Sequence, residues 1–85
     1  MSERYKIIIE KKAAKYLKTQ PKNQQERLLK AIYGIPNGNI KVLQGYENFY
    51  RLRVGDYRVI YRIDDNELII IVLKIGSRGD IYKEF

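Results

Sequence analysis

Two alternating runs meet at a two-residue joint in the stretch YRLRVGDYRVIYRI, Tyr50 to Ile63. Residues on either side change character with a period of two, the mark of a strand. Gly55-Asp56 between them reads as a two-residue hairpin loop of the primed type. A loop of that length fixes the pairing. Val54 then faces Tyr57, Arg53 faces Arg58, Leu52 faces Val59, Arg51 faces Ile60 and Tyr50 faces Tyr61. Partners across a ladder share a face of the sheet. One face therefore carries Tyr50, Leu52, Val54, Tyr57, Val59 and Tyr61 and is expected to be core. The other carries Arg51, Arg53, Arg58, Ile60 and Arg62 and is expected to be a cationic surface.

The opposed pair Arg53 and Arg58 works against folding, because like charges directly across a ladder repel. A sequence shaped by stability alone would place Glu, Thr or a β-branched residue there. One strand arginine is accounted for by snorkelling, with its stem on the sheet and its head in water. Three converging on one patch point instead to an anion site. The forked, permanently charged guanidinium suits bidentate binding of phosphate.

The rest of the chain supplies something to cover the apolar face. RYKIIIE, Arg4–Glu10, alternates as a strand with one buried side. EKKAAKYLKTQ, Glu10–Gln20, shifts to helical composition, with Ala13, Tyr16 and Leu17 on one side and lysines elsewhere. Pro21 suits the first position of a second helix, where its missing N–H costs nothing. Leu28, Ile32 and Ile35 form the stripe of that helix, and Gly34 and Pro36 end it. PNGN is turn chemistry. IKVL follows at Ile40–Leu43, then strands at 49–54, 57–64 and 67–75, with Asp65-Asn66 read as a second two-residue loop. The expected fold is α+β, in the order β-α-α-β-β-β. Its sheet is rich in antiparallel pairs, with two N-terminal helices on one face and a basic opposite face.

At 85 residues the chain is expected to be a single domain spanning 1–85. It has no cysteine and no histidine, so no disulfide framework and no transition-metal site are expected. No cofactor is expected. Its longest apolar runs are too short for a signal-peptide core or a membrane span, so a soluble cytoplasmic protein with no membrane partner is expected. Lys plus Arg is 17 against 10 acids, a formal charge of +7. Such a chain attracts polyanions, nucleic acid first among them.

Other residues weigh less when taken singly. Arg78, flanked by Gly76 and Gly79, is by itself a turn residue. Tyr82 by itself is an aromatic anchor for the tail, which is expected to carry a short helix or extended segment. Lys11, Lys12, Lys15, Lys18, Lys22 and Lys30 form an ordinary solvated helix face that can also steer RNA at long range. Asp64, Asp65 and Glu67 are turn and strand-end residues. YENFY offers aromatics for base stacking.

Together, LQGYENFYRLRVGDYRVIYRI and VLKIGSRGDIYKEF resemble the RelE family of bacterial and archaeal toxins, within the RelE/ParE superfamily. The likeness covers nearly the whole chain. The hairpin is common to the superfamily, whereas Gly76, Arg78 and Tyr82 match an element more typical of the RNA-cleaving branch. The resemblance implies a ribosome-dependent endoribonuclease, an mRNA interferase that cuts mRNA in the ribosomal A site and so inhibits translation. It implies contacts with mRNA and small-subunit ribosomal RNA. It also implies a cognate antitoxin, expected to be acidic, that holds the toxin inactive; operator DNA is not expected to be bound without it. By position, the catalytic and phosphate-binding roles fall on Arg53, Arg58 and Arg78, with Arg51 binding RNA or phosphate and Tyr82 catalytic.

The attacking group would be the RNA 2′-OH, with no metal. Arginine ordinarily titrates above about 12, which makes it a poor base. Tyr82 is the leading candidate base, its phenol eased by neighbouring guanidiniums, and Glu47 is the other. Studied relatives tend to carry lysine where this chain has Arg51. A rival function on the same fold is a ParE-like inhibitor of DNA gyrase without ribonuclease activity. A catalytically lapsed nucleic-acid-binding module is a further rival.

Overall fold

The structure is a computed structural model that describes residues 5–35, 37–45 and 47–77. Arg78, Tyr82 and the expected tail segment lie outside the described residues, as do Pro36 and Tyr46. The elements are β1 (Lys6–Ile9), α1 (Lys11–Lys18), α2 (Lys22–Tyr33), β2 (Asn39–Val42), β3 (Phe49–Val54), β4 (Tyr57–Asp64) and β5 (Ile69–Ser77). The IKVL region joins the sheet as edge strand β2, one residue earlier than expected. No described helix is long and apolar enough to cross a membrane.

Five strands form one sheet in the order β1-β5-β4-β3-β2. β1 runs parallel to β5, and every other pairing is antiparallel. The chain leaves the sheet at one edge, after β1, and returns at the other, as β2. The two helices make that crossing, so they cover one face. Their apolar stripes meet it as the spacing predicts: Ala13, Leu17, Leu28 and Ile32, with Ile35 just past the end of α2, join Leu52, Val54, Val59 and Tyr61 in one core, with Ile70, Val72 and Ile75 from β5. Leu28, Ile32 and Ile35 are wholly buried. Each such side chain contributes roughly 1.5–3 kcal/mol over leaving it in water.

Pro21 sits at the N-cap of α2, one position before the expected place, because its ψ of 149° is extended. Its carbonyl accepts the N–H groups of Gln24 and Gln25, both at 2.9 Å. Gln25 Nε2 reaches back to donate to the Gln20 carbonyl at 2.8 Å, tying α2 to the end of α1.

The β3–β4 hairpin has the register deduced from its loop, from Val54–Tyr57 to Tyr50–Tyr61, extended by Phe49–Arg62. Gly55 has φ 60°, while Asp56 is not among the residues with positive φ. Gly at a left-handed first position is the type II′ arrangement.

The β4–β5 connection differs from the expected two-residue loop. It spans 65–68, so β5 begins at Ile69 rather than Glu67 and runs on to Ser77. Asp64 explains the widening. Its Oδ1 accepts the N–H of Asn66 at 3.1 Å and of Glu67 at 3.2 Å, which draws both out of the ladder. Leu68 then turns the chain with φ 57°. A bulge follows between the Ile60–Lys74 and Tyr61–Val72 pairs, leaving Leu73 as the extra residue. The bulge resets the alternation, so that Ile75 and Val72 both reach the helix-covered face.

Candidate nucleic-acid interface

The face away from the helices is assembled row by row from the ladder. In the row nearest the Gly55–Asp56 bend, Arg53 and Arg58 are directly opposed, with Asn39 beyond Arg53 and Gly76 beyond Arg58. The next row runs Lys41, Arg51, Ile60, Lys74. The row after that runs Phe49, Arg62, Ile71, Ile8. Partners directly across a ladder hold their Cβ atoms about 4.5–5.5 Å apart. Arg51, Arg53 and Arg58 are therefore brought together, with Arg62 one row further from the bend.

The guanidiniums of this cluster have no acidic partner among the described residues. Arg53 Nε lies 3.5 Å from the Gly55 carbonyl, and Arg58 Nη1 donates to the Tyr57 carbonyl at 3.3 Å. Both bonds are to neutral backbone close to the bend. Arg53 is exposed, and Arg51, Arg58 and Arg62 are half-buried. At the centre of the cluster Ile60 is 0% exposed, although it lies on the face opposite the main core. An apolar floor between cations lowers the local dielectric and strengthens their pull on an anion.

Lys41 and Lys74 are the residues that sequence reasoning missed. Neither strand 39–42 nor strand 69–77 has a local signal that fixes its register against the hairpin. The one available clue was that lysine alternates with apolar neighbours in both IKVL and VLKI.

Glu47 is exposed in the turn before β3, at the end of that strand remote from the bend. At about 3.3 Å per residue, the strand separates it from the Arg53–Arg58 row. Asp64, Asp65 and Glu67 lie in the β4–β5 turn, and no group of carboxylates fit to hold a metal exists among the described residues. The helix lysines Lys11, Lys12, Lys15, Lys18, Lys22 and Lys30 are all exposed. Tyr61 belongs to the other face, where its ring stacks on Tyr50 with centroids 5.4 Å apart. Burial, and then the Tyr50 phenol beside it, push the Tyr61 hydroxyl up to about 12. It is placed and tuned as a core group rather than a proton acceptor.

A clustered set of forked cations on a rigid ladder, over an apolar floor, can hold a phosphodiester and favour the extra charge of a pentacovalent phosphorane.

Comparison with known proteins bears on the family and the fold. Residues 7–82 match the family described as the ParE toxin of type II toxin-antitoxin system, parDE. The chain is 34% identical to Toxin RelE3 of Methanocaldococcus jannaschii, over 94% of this chain and 98% of that one. The RelE–RelB complex of Pyrococcus horikoshii has a similar fold, with a TM-score of 0.76 and 31% identity, covering 91% of this chain and 98% of that one. The RelB–RelE complex of Methanococcus jannaschii gives 0.72 and 28%, over 92% and 98%. With this ladder, this helix-covered face and these relatives along almost its whole length, the chain belongs to the RelE family of toxins, within the RelE/ParE superfamily of type II toxin–antitoxin systems.

Proposed function

We propose that the protein is a ribosome-dependent endoribonuclease that cuts mRNA in the ribosomal A site and so arrests translation. The observation that carries this reading is the Arg53–Arg58 pair, opposed across the hairpin, flanked by Arg51 and lacking a countercharge among the described residues. In the reaction the RNA 2′-oxygen bonds to the adjacent phosphorus and the bond to the 5′-oxygen breaks. The products are a 2′,3′-cyclic phosphate and a 5′-hydroxyl. One proton leaves the 2′-OH for a base, and another reaches the departing 5′-oxygen. Arg53 and Arg58, with Arg78 from the chain just past β5, hold the phosphate and its added charge. Arg51 binds the flanking strand. Tyr82 takes the proton, since Glu47, the other candidate base, stands at the far end of β3 from the Arg53–Arg58 row. Weak intrinsic basicity suits an enzyme for which the ribosome supplies the substrate geometry, since positioning alone can lower a barrier by several kcal/mol, roughly 7–11 at the limit.

A cognate antitoxin holds the toxin inactive. The archaeal relatives in complex with RelB support this, as does a +7 chain that needs complementary charge. An acidic segment that folds on binding would cover a wide face with a short chain.

Primer extension on mRNA bound to programmed ribosomes tests the proposal. Cuts in the A-site codon should appear with the protein and vanish with Arg58→Ala, whose circular dichroism should stay that of the wild type. Translation arrest by Arg58→Ala at the wild-type level would remove the site assignment. The second reading, a gyrase inhibitor, is favoured by the ParE description of the matching family. Loss of supercoiling by gyrase, with intact mRNA on ribosomes, would establish it instead.

A further inference from the structure

The end of the hairpin that carries Arg53 and Arg58 is thinly supported by the sheet. Arg53 is the last residue of β3 with a partner in β2, since β2 begins at Asn39 opposite it. Arg53 and Arg58 repel each other one pair before the bend. Gly55 and Asp56, at the bend itself, are exposed. The helices nevertheless reach this end at two points. At the foot of the bend the Tyr57 hydroxyl donates to Gln20 Oε1 at 2.9 Å. At its tip stands Arg27 of α2, where a Cβ on Gly55 would meet Nη1 and Nη2 at 3.0 Å and Cζ at 3.1 Å. Three distances so nearly equal put the flat face of the guanidinium, not its edge, against the Gly55 Cα. Glycine leaves room for that contact and, with φ 60°, also makes the turn.

The usual uses of a surface arginine do not account for Arg27. It lines the same notch between the helices and the bend as Asp56 does, yet it forms no ion pair and no hydrogen bond among the described residues. Ordering a long side chain costs rotamer entropy, and no salt link offsets it here. A charge meant only to attract RNA acts from open solvent, as the helix lysines do. What the guanidinium meets is the backbone of the bend. The Gly55 carbonyl is also the group that Arg53 Nε approaches at 3.5 Å. A contact that long does not hold the Arg53 head by itself, so the direction of the head follows the setting of the Gly55 peptide.

We infer that Arg27 is a positioning residue for the phosphate-binding face: it braces the Gly55–Asp56 bend from the helix side and so fixes the spacing and direction of Arg53 and Arg58. The inference rests on the ribonuclease reading above. Arg27 acts through the bend and not by touching the substrate. Donors already in place stabilise a transition state without having to move. A bend that wanders misplaces both arginines, and misplacement by about an ångström can cost on the order of 10²-fold in rate.

Cleavage of mRNA on programmed ribosomes, followed at a series of protein concentrations, tests the brace. Arg27→Ala should lower the maximal rate at least tenfold and leave the half-saturating protein concentration within about twofold of wild type. Arg27→Lys, which keeps the charge and loses the flat face, should be equally slow. Arg27 is exposed, so both variants should keep the circular dichroism of the wild type. In ¹⁵N relaxation the Gly55 and Asp56 amides of the wild type should have order parameters near those of a rigid backbone, about 0.85, and Arg27→Ala should bring them below about 0.6. A wild-type rate in Arg27→Ala, a rate restored by Arg27→Lys, or a change in the half-saturating concentration alone would overturn the brace and leave Arg27 a steering charge at most. Unchanged order at Gly55 and Asp56 would overturn it as well. Wild type that cuts no mRNA on ribosomes would remove the ribonuclease reading, and the relaxation measurement would then decide by itself whether Arg27 holds the bend.

Discussion

Arg53 and Arg58 are opposed where the ladder least tolerates like charges, and each spends its one observed hydrogen bond on neutral backbone. Binding is the reason to keep such a pair, so stability and function should part when it is broken. Arg53→Thr replaces a repelling cation with a β-branched residue. Cross-strand pair effects of about 0.2–1 kcal/mol should then raise the midpoint of urea unfolding. The same change should slow cleavage on ribosomes about 10²–10³-fold, the usual effect of losing one donor to a transition-state anion. A variant that is both more stable and fully active would assign the pair no role. Tyr61 presents the opposite case, a polar group kept neutral by burial. Its folded hydroxyl is pushed up to about 12 from 10.0, by burial and then by Tyr50. Because the folded value is the higher, this contribution is complete below pH 10 and is lost as pH rises towards 12. Unfolding free energy should fall by on the order of 3 kcal/mol across that interval. Tyr61→Phe should remove that part of the fall while matching wild type near neutrality, as urea titrations at a series of pH values will show.

β3 and β4 were legible in the sequence because their pairing is set locally, by two residues of loop. β5 was not. Its run IIIVLKI has no polar beat to show the phase, so the Leu73 bulge that resets it leaves no mark in the sequence. The parallel pairing of β1 with β5 joins residues more than 60 positions apart and has no turn to announce it. For the same reason Lys41 and Lys74 entered the cationic face only once β2 and β5 had their registers, whereas Arg51, Arg53 and Arg58 could be placed from the hairpin alone. Arg78 and Tyr82 came from family resemblance and not from periodicity, because the chain past β5 carries no alternation to read. The β4–β5 turn is wider than the two-residue loop expected because Asp64 acts on its own backbone, a local contest that composition does not decide. That contest makes a prediction about the strand pair. Asp64→Ala removes two acceptor contacts and should cost about 1–3 kcal/mol. Amide exchange should rise along β5 near Ile69–Ile71 before it rises in β3. Uniform acceleration throughout the sheet would mean that the turn does not control this edge.

In a chain of net charge +7, two basic surfaces among the described residues act differently on RNA. One set of lysines stands on the exposed sides of α1 and α2, while Lys41, Arg51, Arg53 and Arg58 are gathered on the sheet face by the ladder. Diffuse charge speeds encounter without fixing a phosphate, and clustered charge releases counterions as phosphates seat on it. Salt dependence separates the two. Single-stranded RNA loses about 0.7 in log–log slope for each phosphate neutralised, so four seated contacts give a slope of about −3. Removing one face cation, as in Arg58→Ala, should flatten the slope by about 0.7. Lys11→Ala with Lys18→Ala removes two charges instead of one, yet should leave the slope unchanged and lower only the association rate. Fluorescence anisotropy of a short RNA across a series of salt concentrations, with stopped-flow association beside it, reads both quantities. If the helix variant flattens the slope as much as Arg58→Ala does, the RNA senses only net charge, and the ladder has built no phosphate site.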